Sequence, residues 1–193
     1  MQDRTVLSGG VRPGPAGEPA AVVLRPWGLA DTDPDVVLEA YRDRELRHWL
    51  KSSMETRADA LRWLEEQRRG RDSGERISFA VVEGDGGPVG HVVLKGLTPG
   101  GPSAEVGYWT VAAARGRGVA SRAVAELTRW AFEAFGADGL VRLELFHQVG
   151  NEGSCRVAER SGYGFVRELP PLGPSSGPGH LHVRSRPEAS VRG

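Results

Sequence analysis

The feature that most limits how this chain can fold is Arg115-Gly116-Arg117-Gly118-Val119-Ala120, a glycine-punctuated loop between two segments of different periodicity. Ahead of it, Ala104-Glu105-Val106-Gly107-Tyr108-Trp109-Thr110-Val111 has the β-branched and aromatic content of a strand. Behind it, Val119, Ala123, Val124, Leu127, Trp130, Ala131 and Ala134 recur at helical spacing. The unit reads as strand, loop, helix. Gly116 and Gly118 allow a tight turn and close approach of a ligand, and the first unpaired N–H groups of the helix, at its positive dipole end, face the same loop. Such a loop is either an anion site built from main chain or a plain turn that binds nothing, and both readings stay open on these residues alone. It lacks a Gly-Lys-Ser/Thr ending and its glycine spacing does not fit the dinucleotide fingerprint, which sets both nucleotide loops aside.

At 193 residues and 39% hydrophobic content the chain can bury the core of one domain and is short for two. No window approaches ~18 consecutive apolar residues, so no membrane span or membrane partner is expected. Met1 to Pro19 carry no apolar signal-peptide core, which leads to an expectation of cytoplasmic retention. Cys155 is the only cysteine, so an internal disulfide is impossible and a reducing compartment is the default. Basic and acidic side chains number 25 each, and that neutral balance argues against general nucleic-acid binding. Only Lys51 and Lys95 among the basic residues are lysine, a bias of composition, so the arginines are not read one by one as phosphate ligands.

Residues 1 to 20, rich in Gly, Pro and small polar side chains, read as a disordered arm before a single domain over 21 to 184, with a flexible tail over 185 to 193. Val22 to Pro26 is a strand candidate. Asp33 reads as an N-cap with Pro34 at the first helical position, and that helix runs to about Asp43. Leu46, Trp49 and Leu50 form a half-turn on the core or the lining of a substrate cleft. Thr56-Arg57-Ala58-Asp59 fits a capping box and starts a second helix that Gly70 and Ser73-Gly74 end. Ile77 to Val82 and Val89 to Leu94 read as a hairpin across a Gly-rich turn, and Thr98 to Ser103 turn the chain into the organising strand.

After the long helix, Leu140 to Phe146 is a strand buried at least on its Val141, Leu143 and Leu145 face. A strand, helix and strand in succession imply parallel pairing. Asn151 and Gly162 bound a short helix as N-cap and C-terminal stop. Tyr163 to Arg167 and His180 to Arg184 are the last strands, separated by a proline-broken loop. The expected fold is therefore α/β with a mixed, mostly antiparallel sheet and helices on both faces.

Two separated motifs carry a family likeness: Glu105-Val-Gly-Tyr-Trp109 followed by Arg115-x-x-Gly118-x-Ala120, and Asn151-x-x-Ser154-x-Arg-Val-Ala-Glu-x-x-Gly162-Tyr. Together, in this order, they resemble the GNAT superfamily of N-acetyltransferases. Within it they look most like the branch related to the RimJ/RimL enzymes, which acetylate N-terminal amines of ribosomal proteins. The resemblance spans about Val22 to Arg184. It implies acetyl-CoA as cosubstrate, with its pyrophosphate on main-chain N–H groups of Arg115, Gly116, Arg117, Gly118, Val119 and Ala120. Pantetheine is then expected between splayed strands at Tyr108, Trp109, Thr110 and Val111 and at Val141 to Phe146, with Asn151 at its amide end. The partner is an amine acceptor. A homodimer is compatible with the family, though no residue demands it.

The reaction so implied is direct acetyl transfer to an amine, which needs a base for the ammonium proton and an acid for the departing thiolate. Glu105 is the base by resemblance, or else an exposed strand glutamate or an anion that orients substrate. Ser154 is the acid or thiolate hydrogen-bond donor, or a second capping residue. Many members use a tyrosine seven residues after the asparagine, and Ala158 stands there instead. His147 is a hydrogen-bonded structural residue or a proton relay, and Cys155 a small buried hydrophobe or an acetyl carrier. The spacing of His48, His91, His147, His180 and His182 shows no metal-ligand pattern, so no metal is expected. The acceptor is a protein or peptide N-terminus or a small-molecule amine, including an antibiotic. A non-catalytic acyl-CoA-binding or sensing protein is the alternative from another class, motivated by Ala158.

Overall fold

In chain order the elements are β1 (Val22–Arg25), α1 (Asp33–Arg42), α2 (Arg44–Leu50), α3 (Arg57–Ser73), β2 (Arg76–Glu83), β3 (Pro88–Lys95), β4 (Ser103–Thr110), α4 (Val119–Phe135), β5 (Arg142–Gln148), α5 (Glu152–Arg160), β6 (Gly164–Leu169) and β7 (Gly179–Ser185). They come from a computed structural model, which describes residues 21–50, 52–171 and 177–187. The arm expected over 1–20, the middle of the loop before β7 and the end of the expected tail lie outside the described residues.

Among the described residues the strands form one seven-stranded sheet in the order β1-β2-β3-β4-β5-β7-β6. Neighbours from β1 to β4 pair antiparallel, β4 pairs parallel with β5, and β5, β7 and β6 pair antiparallel again. The expected mixed sheet, with its single parallel step after the glycine loop, is thus present. The last strand to be made is inserted between β5 and β6, so β7 closes a gap that β5 and β6 leave between them.

Alternation along β4 explains why helices cover both faces. Ala104, Val106 and half-buried Tyr108 point into a core shared with Val119, Ala123, Val124, Leu127 and Ala131 of α4 and with Leu143 and Leu145 of β5. Trp109 points the other way, into a second core of Val37, Ala40, Tyr41, Leu46, Ala60 and Trp63 from α1, α2 and α3. The helical repeat after the loop is the buried stripe of α4, as its spacing requires.

Several local expectations are corrected. Asp33 does not cap α1; Thr32 holds that position. Its carboxylate is fully buried and bound by both terminal guanidinium nitrogens of Arg25, at 2.6 and 2.9 Å, and by the Gly28 N–H at 2.8 Å, which turns it toward Arg25 and away from the helix start. Leu46, Trp49 and Leu50 belong to a complete short helix, α2. In α3 the chain passes through Gly70 and stops only at Gly74, whose φ of 79° is the left-handed cap that glycine favours. The Thr56 capping box is formed in both directions, with Asp59 N–H on Thr56 Oγ1 at 3.2 Å and Thr56 N–H on Asp59 Oδ2 at 2.8 Å. Val141 lies outside β5 and is 45% exposed, because the buried position at this strand entry is taken by Leu140. Ser185 is still part of β7, and the Arg186 N–H donates to Val141 O at 2.8 Å, so the tail begins later than 185.

Candidate active site

The site starts from a defect in the sheet. β4 and β5 pair only over Ser103–Val106 and Arg142–Leu145. Beyond that point β4 stays on β3 as far as Thr110 opposite Gly90, and β5 stays on β7 as far as Gln148 opposite Gly179. Each strand keeps its outer neighbour and loses its inner one. Main-chain groups on the facing edges, from Gly107 to Thr110 and from Phe146 to Gln148, therefore have no cross-strand partner among the described residues. The opening on the β5 side begins at Phe146; the expected span of Val141 to Phe146 is corrected, since Arg142 to Leu145 are the paired part.

At the wide end of this opening sits the glycine loop. A short 3-10 turn, Ala112–Ala114, leads into it, and Gly116 and Gly118 take φ of 74° and 73°. Those left-handed conformations are why both positions are glycine. Gly118 is itself the N-cap of α4 and supplies no side chain to bond the helix start, so the first N–H groups of α4 are left for a ligand.

Trp109, Thr110, Arg115, Gly116, Gly118, Val119, Ala120, Asn151 and Ser154 all border one cleft of ≈ 300 Å³. Val111, Arg117 and Glu105 do not border it. Val111 packs against both cores. Arg117 turns to Glu83, which also holds Arg122 at 2.7 Å. The Arg115 side chain is engaged by Asp43 and by Glu45 at 2.9 Å, leaving its main chain toward the cleft. Glu105 lies in the paired part of β4, on the Trp109 face, where it meets its cross-strand neighbour Lys95 at 2.5 Å.

Asn151 caps α5 as its position suggests, accepting the Ser154 N–H at 3.1 Å. The Ser154 hydroxyl does something else: it accepts from the Tyr108 hydroxyl at 2.8 Å. Burial pushes the Tyr108 phenol up to about 12, so at neutral pH it stays protonated and available as a donor. Tyr108 is expected from sequence as a strand residue beside pantetheine, and its hydrogen bond to Ser154 is what the structure adds. Ala158, which stands where the tyrosine of many members is found, is fully buried under α5 and faces the core, away from the cleft.

Sequence reasoning also missed Arg156 and Arg160 on the cleft rim, one helical turn apart on α5. Their spacing was the available signal. Leu46, Trp49 and Leu50 line the opposite wall, and Leu46 and Leu50 also pack on the second core, so both readings open for them hold. Under the Trp109 face, the buried His91 ring stacks on Trp109 and its Nδ1 accepts from Trp27 Nε1 at 3.0 Å.

One grouping has no trace in residue spacing. His147, Cys155, His180 and His182 come from β5, α5 and β7, and their donor atoms all lie within 4.8 Å of one another. Burial pushes the Cys155 thiol up, with Glu159 and Glu152 adding to it, which works against a thiolate acetyl carrier. Burial lowers His147 and His182, which favours neutral imidazoles.

The chain belongs to the GNAT acetyltransferase family: the sequence model of the acetyltransferase (GNAT) domain matches residues 21–164. Acetyl-CoA is the cosubstrate of this family, and the open strand edges and uncapped helix start fit its amides and diphosphate. Among solved structures, Mycobacterium smegmatis RimJ in complex with a CoA-disulfide is similar at 22% identity and a TM-score of 0.72, over 87% of this chain and 86% of that one. A Salmonella typhimurium acetyltransferase that modifies the N-terminal serine of the 50S ribosomal subunit protein L7/L12 is similar at 16% identity and a TM-score of 0.72, over 86% of this chain and 96% of that one. The microcin C7 self-immunity acetyltransferase MccE, solved with acetyl-CoA and AMP, is similar at 16% identity and a TM-score of 0.71, over 86% of this chain and 93% of that one. At these identities the likeness is one of fold. Among curated proteins none matches the chain in sequence.

Proposed function

We propose that the chain transfers acetyl from acetyl-CoA directly to a primary amine, a protein or peptide N-terminus, with a small-molecule amine as the competing acceptor. The reading rests above all on the opening between β4 and β5 past Val106 and Leu145, set beside a helix start that glycine leaves uncapped. The free edges of the two strands offer hydrogen bonds to the amides of a pantetheine arm, as an added strand would receive. The α4 N–H groups take the diphosphate, and Arg156 and Arg160 add positive charge at the rim. An N-terminal amine as acceptor is supported by the ribosomal-protein acetyltransferases among the similar folds, an argument by analogy.

The residues divide by face of β4. Tyr108 points to the α5 side, where it donates to Ser154 Oγ and leaves the Ser154 hydrogen free to serve a departing thiolate. Glu105 points to the other side, beside Lys95, and as base takes the proton of the acceptor ammonium through water. A binding-only protein is favoured by one observation, the Lys95 ion pair that holds Glu105 outside the cleft.

One experiment separates the readings. Purified chain is mixed with acetyl-CoA and a panel of peptides with different N-terminal residues, small amines and aminoglycosides, and acetylated product is followed by mass spectrometry. Acetyl transfer is expected, slowed roughly 10²-fold or more by Glu105→Gln and little changed by Glu133→Gln, whose carboxylate pairs with Arg129 away from the cleft. Bound CoA with no product from any acceptor would leave only the binding function.

A further inference from the structure

We propose that His147, Cys155, His180 and His182 form a tetrahedral site for one transition-metal ion, zinc by the nature of the donors, that ties α5 to β5 and β7. The inference is independent of acetyl transfer.

The placement follows from sheet register. Leu145 and His147 lie on one face of β5, and they are opposite His182 and His180 of β7. Residues two apart on a strand share a face, so the three imidazoles stand together on the face that α5 covers, and Cys155 of α5 reaches down to them.

Three of the six donor–donor distances match a coordination shell with the ion taken out, and all six lie within 4.8 Å. His147 Nε2 lies 3.2 Å from His182 Nε2, and Cys155 Sγ lies 3.5 Å from both His147 Nε2 and His180 Nδ1. With zinc–nitrogen bonds of about 2.0 Å and zinc–sulfur bonds of about 2.3 Å, a tetrahedron has edges of roughly 3.3 Å between nitrogens and roughly 3.5 Å between nitrogen and sulfur. The tautomer also fits. His147 Nδ1 is 3.0 Å from the Gln148 carbonyl oxygen, a partner that can only accept, so the ring proton sits there and the Nε2 lone pair faces the cluster.

Without an ion the cluster depends on one set of tautomers, with His182 Nε2–H donating to His147 Nε2 and one proton shared between Cys155 Sγ and His180 Nδ1. A cation satisfies all the lone pairs at once. Three nitrogens and a sulfur, without carboxylate, select zinc over magnesium or calcium, and four protein donors close the shell in the manner of a structural site. On binding, Cys155 enters as thiolate and its proton goes to solvent. His182 is buried and the other three donors are half-buried, so an ion can reach the cluster from the surface. Since α5 also carries Ser154, and Asn151 caps it, the metal fixes the helix that forms one wall of the cleft.

The test is a titration of chelator-stripped full-length protein, under argon, with cobalt chloride and then zinc chloride. One cobalt ion per chain is expected, with visible bands of tetrahedral intensity and a thiolate-to-cobalt charge-transfer band, all removed by zinc. Cys155→Ala should abolish the charge-transfer band. His180→Ala should weaken uptake by more than the roughly 10–100-fold that an outer-shell change costs, with the far-ultraviolet circular dichroism of both variants unchanged. No cobalt spectrum in excess metal, or a spectrum that Cys155→Ala leaves intact, would overturn the site.

Discussion

The Tyr108 hydroxyl donates to Ser154 Oγ over 2.8 Å, and so joins β4 to the first turn of α5 across the mouth of the strand opening. A phenol that burial holds up to about 12 keeps its proton throughout the physiological range. Tyr108→Phe removes the donor and leaves the wall of the cleft in place. Steady-state kinetics should then give a kcat lower by about 10²-fold, with the KM for acetyl-CoA little changed. An equal loss in both parameters would mean that Tyr108 serves binding alone.

Gly118 is the second point of control. Its φ of 73° places it in the left-handed region, where a residue with a Cβ costs about 1–2 kcal/mol. Gly118→Ala should therefore lower the melting temperature by a few degrees and raise the KM for acetyl-CoA several-fold more than kcat falls. A variant with wild-type KM would show that the loop does not touch the cosubstrate.

Tyrosines raised by burial set the alkaline limit of stability. Tyr108 and Tyr163, the latter bound to Thr128 at 2.6 Å, are both raised by burial to about 12, whereas an unfolded tyrosine titrates near 10. Below pH ~10 both states hold the proton and the contribution is complete; between ~10 and ~12 only the unfolded chain loses it, so stability falls as pH rises. Urea unfolding across that range should show the fall, on the order of 2 kcal/mol per tyrosine at most, and Tyr163→Phe should flatten part of it.

His91 sets a limit on the acid side. Burial, with Arg76 and Lys95 nearby, lowers it to about 3, and its Nδ1 already accepts from Trp27. Below pH ~6.5 the unfolded chain takes up a proton that the folded chain refuses, so this stabilising contribution is present above ~6.5 and lost as pH falls toward ~3. His91→Gln should be less stable at neutral pH yet show a shallower loss in acid, measured by the same unfolding curves.

What was legible in the residues is what local chemistry decides. The capping box at Thr56, the left-handed glycines at 116 and 118, the Asn151 cap and the α4 stripe each depend on neighbours a few positions away, and each was found in place. Asp33 misled because a distant Arg25 outbids a helix terminus for its carboxylate. Tyr108 and Ser154 are 46 positions apart, and only the parallel step between β4 and β5 brings them to one cleft. The cysteine–histidine grouping was invisible for the same reason: its members face one another only because β7 is inserted beside β5.

The central claim is that an uncapped helix start and two parted strand edges hold acetyl-CoA. Isothermal titration calorimetry of the intact chain with acetyl-CoA tests it most directly. Saturable one-to-one binding at micromolar concentration, weakened by Gly118→Ala, is the result predicted. No heat of binding with acetyl-CoA or CoA at millimolar concentration would contradict the account at its base.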